Sequence, residues 1–152
     1  IGVSRYEAKA YIESYLAKYA GVREYMRSIV ETAREQGFVC TTFGRRRYIP
    51  EIKSSNFNVR SGAERIALNT PIQGTAADII KLAMVRVFHA LREQALQARL
   101  ILQVHDELIV ECPAFEAQSV MDIVTKAMEE AVSLSVPLIA EAKMGESWYD
   151  AK

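Results

Sequence analysis

Two β-prone apolar runs, Leu100 to Val104 and Leu108 to Val110, are separated only by His105, Asp106 and Glu107. Nothing between them is long enough for a crossover, so the two strands are expected to run antiparallel through a tight turn. The nonapeptide Gln103 to Glu111 thus predicts a hairpin with its polar groups at the tip. Burying the strands while leaving adjacent carboxylates at the turn would set oxygen donors on a rigid support, as metal-assisted phosphoryl chemistry requires. On these residues alone, an ordinary polar turn accounts for Asp106-Glu107 as well, because aspartate is a favoured turn residue.

The rest of the chain frames that hairpin. Ser4 followed by Glu7 forms a capping box, and Tyr11, Ile12, Tyr15, Leu16 and Tyr19 supply the apolar face of a helix that should stop near Gly21. A second helix is expected from Val22 to Gln36, with Tyr25, Met26, Ile29, Val30 and Ala33 on one face and Gly37 as its stop. The two form a helical hairpin. Phe38 to Phe43 reads as a strand, Gly44 opens an arginine-rich turn, and Lys53 to Ser61 has the Ser/Asn content of a loop. A short helix from Ser61 to Leu68 is then expected to break at Pro71. Thr70 would cap a new, long helix reaching Gln94, with Pro71 at its first position and Gln73 completing a capping box. After the polar-tipped hairpin come a helix from Ala114 to Val132, with Ala117, Val120, Met121, Val124, Ala127 and Met128 inward, and a closing strand from Leu138 to Lys143. This order gives an α+β domain, an antiparallel sheet with the polar-tipped hairpin backed by helices and preceded by a helical hairpin.

The 152 residues, half of them hydrophobic, suffice for one domain with a core. No apolar run approaches the ~20 residues of a membrane span, and the start lacks the layout of a secretory signal, so a cytoplasmic protein is expected. Cys40 and Cys112 lack metal-ligand spacing and read as buried free thiols in strands. The net charge of zero conceals a division. Residues 43–65 carry Arg45, Arg46, Arg47, Lys53, Arg60 and Arg65 against Glu51 and Glu64, whereas residues 106–152 carry ten acidic and three basic groups. A basic stretch beside an acidic one suits a protein that holds a phosphate backbone on one face and keeps it off another. A solvated surface explains any single arginine as readily.

Gln103 to Glu111 resembles the third signature motif of family A DNA polymerases, the bacterial DNA polymerase I type. TTFGRRRYIPEI at 41–52 and ERIALNTPIQGTAADIIKLAM at 64–84 resemble palm segments of the same family in the same order. The resemblance implies that Asp106 holds catalytic magnesium ions of a two-metal site and that Glu107 supports the metals or the primer end. It implies that His105 lies near the primer terminus, and that Arg65, Asn69 and Gln73 reach the minor groove of the primer-template duplex. Donors there meet acceptors placed alike in all correct pairs, so they test pair shape without reading sequence. A capping role alone would also explain Gln73. Of the arginines, Arg45 and Arg46 are the candidates for DNA phosphate, with at least one of the three expected to pair with protein carboxylates instead. His89 reads as a surface or boundary residue.

The resemblance also implies a division of the chain: a C-terminal fragment of a polymerase domain over residues 1–152, with the helical hairpin at 1–37 next to the fingers and the palm at 38–152. The other metal-binding aspartate and the fingers helix that holds the deoxynucleoside triphosphate belong upstream of Ile1 in the family. The isolated chain is therefore expected to be inactive while its parent polymerises DNA. The alternative is a non-catalytic duplex-binding or scaffold fragment. A His-Asp metal phosphohydrolase would need more histidines than His89 and His105.

Overall fold

Ser4 starts the first helix as its sequence requires. In the computed structural model, which describes residues 2–151, the Ser4 hydroxyl accepts the Glu7 N–H at 3.2 Å and the Glu7 carboxylate accepts the Ser4 N–H at 2.8 Å. The Ser4 N–H, and after it the Ser4 hydroxyl, which donates to the same carboxylate at 2.7 Å, hold the Glu7 carboxyl below its ordinary pKa. The helix α1 (Arg5–Lys18) ends at Tyr19, and α2 (Ala20–Gln36) begins at the next residue. Gly37 closes α2 in the left-handed conformation, with φ of 77° and its N–H on the Ala33 carbonyl. The expected aromatic face of α1 meets no core, and the helix has no buried residue. Tyr11, Ile12 and Tyr15 are all more than half exposed.

The chain divides into two compact units, one running to Thr75 and the other starting at Ala76. In the first, β1 (Phe38–Cys40) pairs antiparallel with β2 (Arg46–Tyr48), with Val39 opposite Arg47. The arginine-rich turn expected after Gly44 is shorter than that: Arg46 and Arg47 form the second strand, and the Gly44 N–H on the Thr41 carbonyl closes the turn before it. Ala33, Val39, Ile49, Ile52, Ala63 and Ala67 build the core of this unit. Burying Ile49 and Ile52 stabilises it by about 1.5–3 kcal/mol each. A 3₁₀ turn, Pro50–Lys53, carries Ile52 into that core.

The helix α3 (Phe57–Glu93) departs most from expectation. The Ser/Asn-rich stretch expected as a loop up to Ser61 is mostly helix, because the Asn56 side chain accepts the N–H groups of Asn58 and Val59 at 2.9 and 3.3 Å and caps its start. No break occurs at Pro71, which lies inside one helix of 37 residues. Thr70 is therefore no N-cap; it is buried and its hydroxyl donates to the Ile66 carbonyl at 2.7 Å. The capping box assigned to Gln73 does not exist, and Gln73 is exposed. The helix ends in a Schellman motif, with Leu96 N–H on the Leu91 carbonyl and Ala95 N–H on the Arg92 carbonyl.

In the second unit β3 (Arg99–Val104) and β4 (Glu107–Glu111) form the expected hairpin, with Ile101 bulged out of register. Leu108 and Val110 pack with Val87 and Leu91 of α3 and with Val120 and Val124 of α4 (Ala117–Glu129), so the hairpin is backed by helices as expected. A 3₁₀ turn, Ala114–Glu116, precedes α4 and brings the buried Glu116 carboxylate onto the Gln97 N–H, at 3.0 and 3.1 Å from its two oxygens. The architecture is α+β with two small antiparallel sheets.

The expected closing strand is not formed. Residues 138–143 alternate half-buried and exposed positions, but among the described residues no strand lies alongside to complete a ladder. Period-two patterning reports the faces of an extended segment, not the neighbour that bonds its edges. Neither cysteine fits its expectation fully: Cys40 lies in β1 but is exposed, and Cys112 is half-buried just beyond β4. Both are free thiols. Among the described residues no helix is long and apolar enough to cross a membrane.

Candidate functional site

His105 and Asp106 are the two residues of the hairpin turn, between the paired Val104 and Glu107. A two-residue loop matches the right-handed twist of its strands only if its first central residue has positive φ, and His105 supplies it at 53°. For a histidine this costs about 1–2 kcal/mol relative to ordinary backbone. The Gln103 side-chain amide donates to the His105 carbonyl at 2.6 Å and ties the turn to β3. Asp106 follows on the turn and Glu107 opens β4, and all three polar residues are exposed.

Asp106 and Glu107 also line an open cavity of about 1420 Å³ in the second unit. Its walls are largely apolar and include Ile79, Ile80, Leu108, Val124 and Trp148. Carboxylate oxygens on a rigid turn have the hard-donor chemistry that suits magnesium. Among the described residues, no group of three or more His, Cys, Asp or Glu comes together to hold a metal ion. Asp106 and Glu107 thus fit part of a coordination shell and not all of it.

In the first unit, Arg65, Asn69 and Gln73 recur every four residues along the continuous α3 and are all exposed. At 100° per residue, four-residue steps drift by only about 40°, so the three share one face. The unbroken helix brings together a row that the sequence reading divided at Pro71.

The arginines part company. Arg45 donates from Nη2 to the Gly74 carbonyl of α3 at 2.9 Å. Arg46 lies over the Phe38 ring, 4.8 Å from its centroid, and keeps its charge exposed. Arg47, opposite Val39, is on the other face of the two-stranded sheet. Gly74 and Thr75 of α3 meet the β1–β2 turn, a long-range contact that no local pattern in the sequence signals. Thr42 N–H donates to Thr75 Oγ1 at 3.0 Å. His89 lies edge-on to Phe88 on α3, with ring centroids 5.6 Å apart.

Comparison with known proteins gives these arrangements a family. The model for DNA polymerase family A matches residues 1–150. DNA polymerase I of Geobacillus stearothermophilus is 54% identical over 152 residues, all of this chain and 17% of that protein. The DNA polymerase I of Bacillus subtilis is 53% identical over the same span, again 17% of its length. Among solved structures, the POL domain of Pol1 from M. smegmatis, in complex with DNA primer-template and dNTP, superposes with a TM-score of 0.93 at 47% identity. The match covers 98% of this chain and 26% of that one. The chain thus spans about a sixth of the length of these curated relatives.

Proposed function

The chain belongs to DNA polymerase family A, and from that membership we propose that it is the C-terminal palm part of a DNA-directed DNA polymerase that extends a primer 3′ end with deoxynucleoside triphosphates. The observation that carries this reading is the two-residue turn at His105-Asp106, which holds Asp106 and Glu107 on a packed hairpin inside a segment matched throughout by the family. In this reaction the primer 3′ hydroxyl gives up its proton to solvent as its oxygen attacks the α-phosphorus, the bond from the α-phosphorus to the α,β-bridging oxygen breaks, and pyrophosphate leaves with that electron pair.

Asp106 would hold magnesium, with Glu107 beside it. The bound ions would supply charge neutralisation and alignment at the reacting phosphate in a two-metal site. The chain's own residues otherwise place the substrate. His105, fixed by the turn and by Gln103, contacts the primer terminus. Arg65, Asn69 and Gln73 offer donors from one helix face to the minor groove of the primer-template duplex, and Arg46 meets phosphate. The remainder of the polymerase chain would complete the site, a reading supported by the chain's coverage of only 17% of the matched DNA polymerase I. The open apolar cavity and the extended segment 138–143, which has no strand beside it among the described residues, are the surfaces that this remainder would cover. The 152-residue chain alone is accordingly inactive, and the polymerase acts in the cytoplasm.

The test is Asp106→Ala in the whole polymerase, measured by single-nucleotide incorporation beside the isolated chain. Loss of a ligand worth a few kcal/mol of transition-state stabilisation lowers the rate on the order of 10³-fold or more. Near-normal incorporation by the variant, or templated incorporation by the isolated chain, would overturn the assignment.

A further inference from the structure

The turn between β1 and β2 grips α3 one turn beyond Pro71, and the grip is built in detail. Thr42 N–H donates to Thr75 Oγ1 at 3.0 Å, the two hydroxyls lie 3.1 Å apart, and Thr75 donates in turn to the Pro71 carbonyl. Arg45 Nη2 donates to the Gly74 carbonyl at 2.9 Å, while the Arg45 N–H donates to Thr41 Oγ1 at 3.2 Å. Gly74 is required by this approach: a Cβ there would lie 2.6 Å from Thr41 Cγ2. Thr41 is buried and β-branched, so that methyl has little room to retreat.

The position of this clamp gives it a consequence. Pro71 has no N–H for the Ala67 carbonyl, which removes one bond from the helical ladder where the row of Arg65, Asn69 and Gln73 passes. Thr75 is about 200° around the helix from Gln73, so the clamp holds the side of α3 nearly opposite Gln73. We propose that Thr41, Thr42 and Arg45 are positioning residues that act through Gly74 and Thr75 to fix the orientation of Gln73 toward the primer-template duplex. The proposal rests on the reading above that α3 presents Gln73 to DNA. It assigns Arg45 to the helix backbone and not to phosphate.

The experiment uses the whole polymerase and begins with Arg45→Met, which removes the donor and keeps most of the side-chain stem. Primer extension and the salt dependence of duplex binding are measured for Arg45→Met, Gln73→Ala and the double variant. Displacement of a positioning group by about 1 Å can cost up to about 100-fold, and Arg45→Met is expected to slow extension of a matched primer on the order of tenfold. The slope of log K against log salt should stay unchanged, because no phosphate contact is lost. In the Gln73→Ala background, Arg45→Met should have little further effect. A slope smaller by about one unit would make Arg45 a phosphate contact and overturn the proposal. Additive losses in the double variant would overturn it too, since the clamp would then act elsewhere. Gln73→Ala with no effect on extension or affinity would instead remove Gln73 from the duplex and take both readings down. A second pair checks the mechanism: Gly74→Ala should slow extension, and adding Thr41→Ser, which deletes Cγ2 but keeps the hydroxyl, should restore most of it. No rescue would overturn the clamp.

Discussion

Replacing His105 by glycine should tighten the hairpin and impair the polymerase at once. His105 holds φ of 53° at the first position of the turn, where an L-residue costs about 1–2 kcal/mol. Glycine removes that cost but has more chain entropy to lose, about 0.5–1 kcal/mol. The midpoints leave a net gain of about 0.75 kcal/mol, or roughly a three- to fourfold shift in the local opening equilibrium. His105→Ala provides the comparison, because it deletes the imidazole and leaves the backbone demand in place. Hydrogen exchange at the Val104 and Glu107 amides, which flank the turn, should be slower in the glycine variant than in the alanine variant by that factor. Primer extension should fall alike in both. Ala95→Gly calibrates the effect at a position with the same φ of 53° and no proposed contact to DNA: it should slow exchange near the end of α3 and leave extension unchanged. Exchange in His105→Gly as fast as in His105→Ala would refute the strain argument, and wild-type extension by the glycine variant would refute the use of the imidazole.

Other perturbations test the frame around the site. Asn56→Ala removes the cap of α3 and should destabilise the chain by about 1 kcal/mol in denaturant unfolding, whereas a loop residue would cost little. Glu116→Ala leaves the Gln97 N–H without its carboxylate partner and should cost about 1.5–3 kcal/mol, the range for hydrogen bonds to charged groups. Burial, then the neighbouring Glu116 carboxylate, pushes the Cys112 thiol pKa up. A raised folded-state pKa means that the protonated thiol contributes stability below the unfolded pKa and loses it as pH rises through the folded value. Iodoacetamide at mildly alkaline pH should accordingly label the exposed Cys40 before Cys112, as read by peptide mass spectrometry.

The features legible in the sequence were those whose physics is local. Ser4 with Glu7, Gly37 after Gln36, and two apolar runs around a polar turn each carry their own cause within a few residues, and each formed as read. The features missed depend on partners distant in the chain. Pro71 favoured a break by propensity, yet the helix runs on, with Thr70 back-bonding to Ile66 and Thr75 to Pro71. Arg46 and Arg47 read as turn residues because their strand partners, Cys40 and Val39, are not adjacent in sequence. Asn56 had loop composition and cap geometry, which residue type alone does not separate. Residues 138–143 show strand patterning without a strand beside them among the described residues, and the aromatic face of α1 leaves Tyr11, Ile12 and Tyr15 exposed with no residue of the helix fully buried. For the candidate site, the hairpin tip was readable as a unit, whereas the alignment of Arg65, Asn69 and Gln73 required knowing that α3 is continuous.

The most direct test of the account is anomalous scattering from manganese soaked into crystals of the whole polymerase with primer-template and an incoming nucleotide. The expected result is a cation with an Asp106 carboxylate oxygen in its coordination shell, at roughly 2.0–2.2 Å as for hard cations of this size. A cation bound at the primer end with no Asp106 oxygen among its ligands would contradict the reading of this hairpin as the metal-holding element.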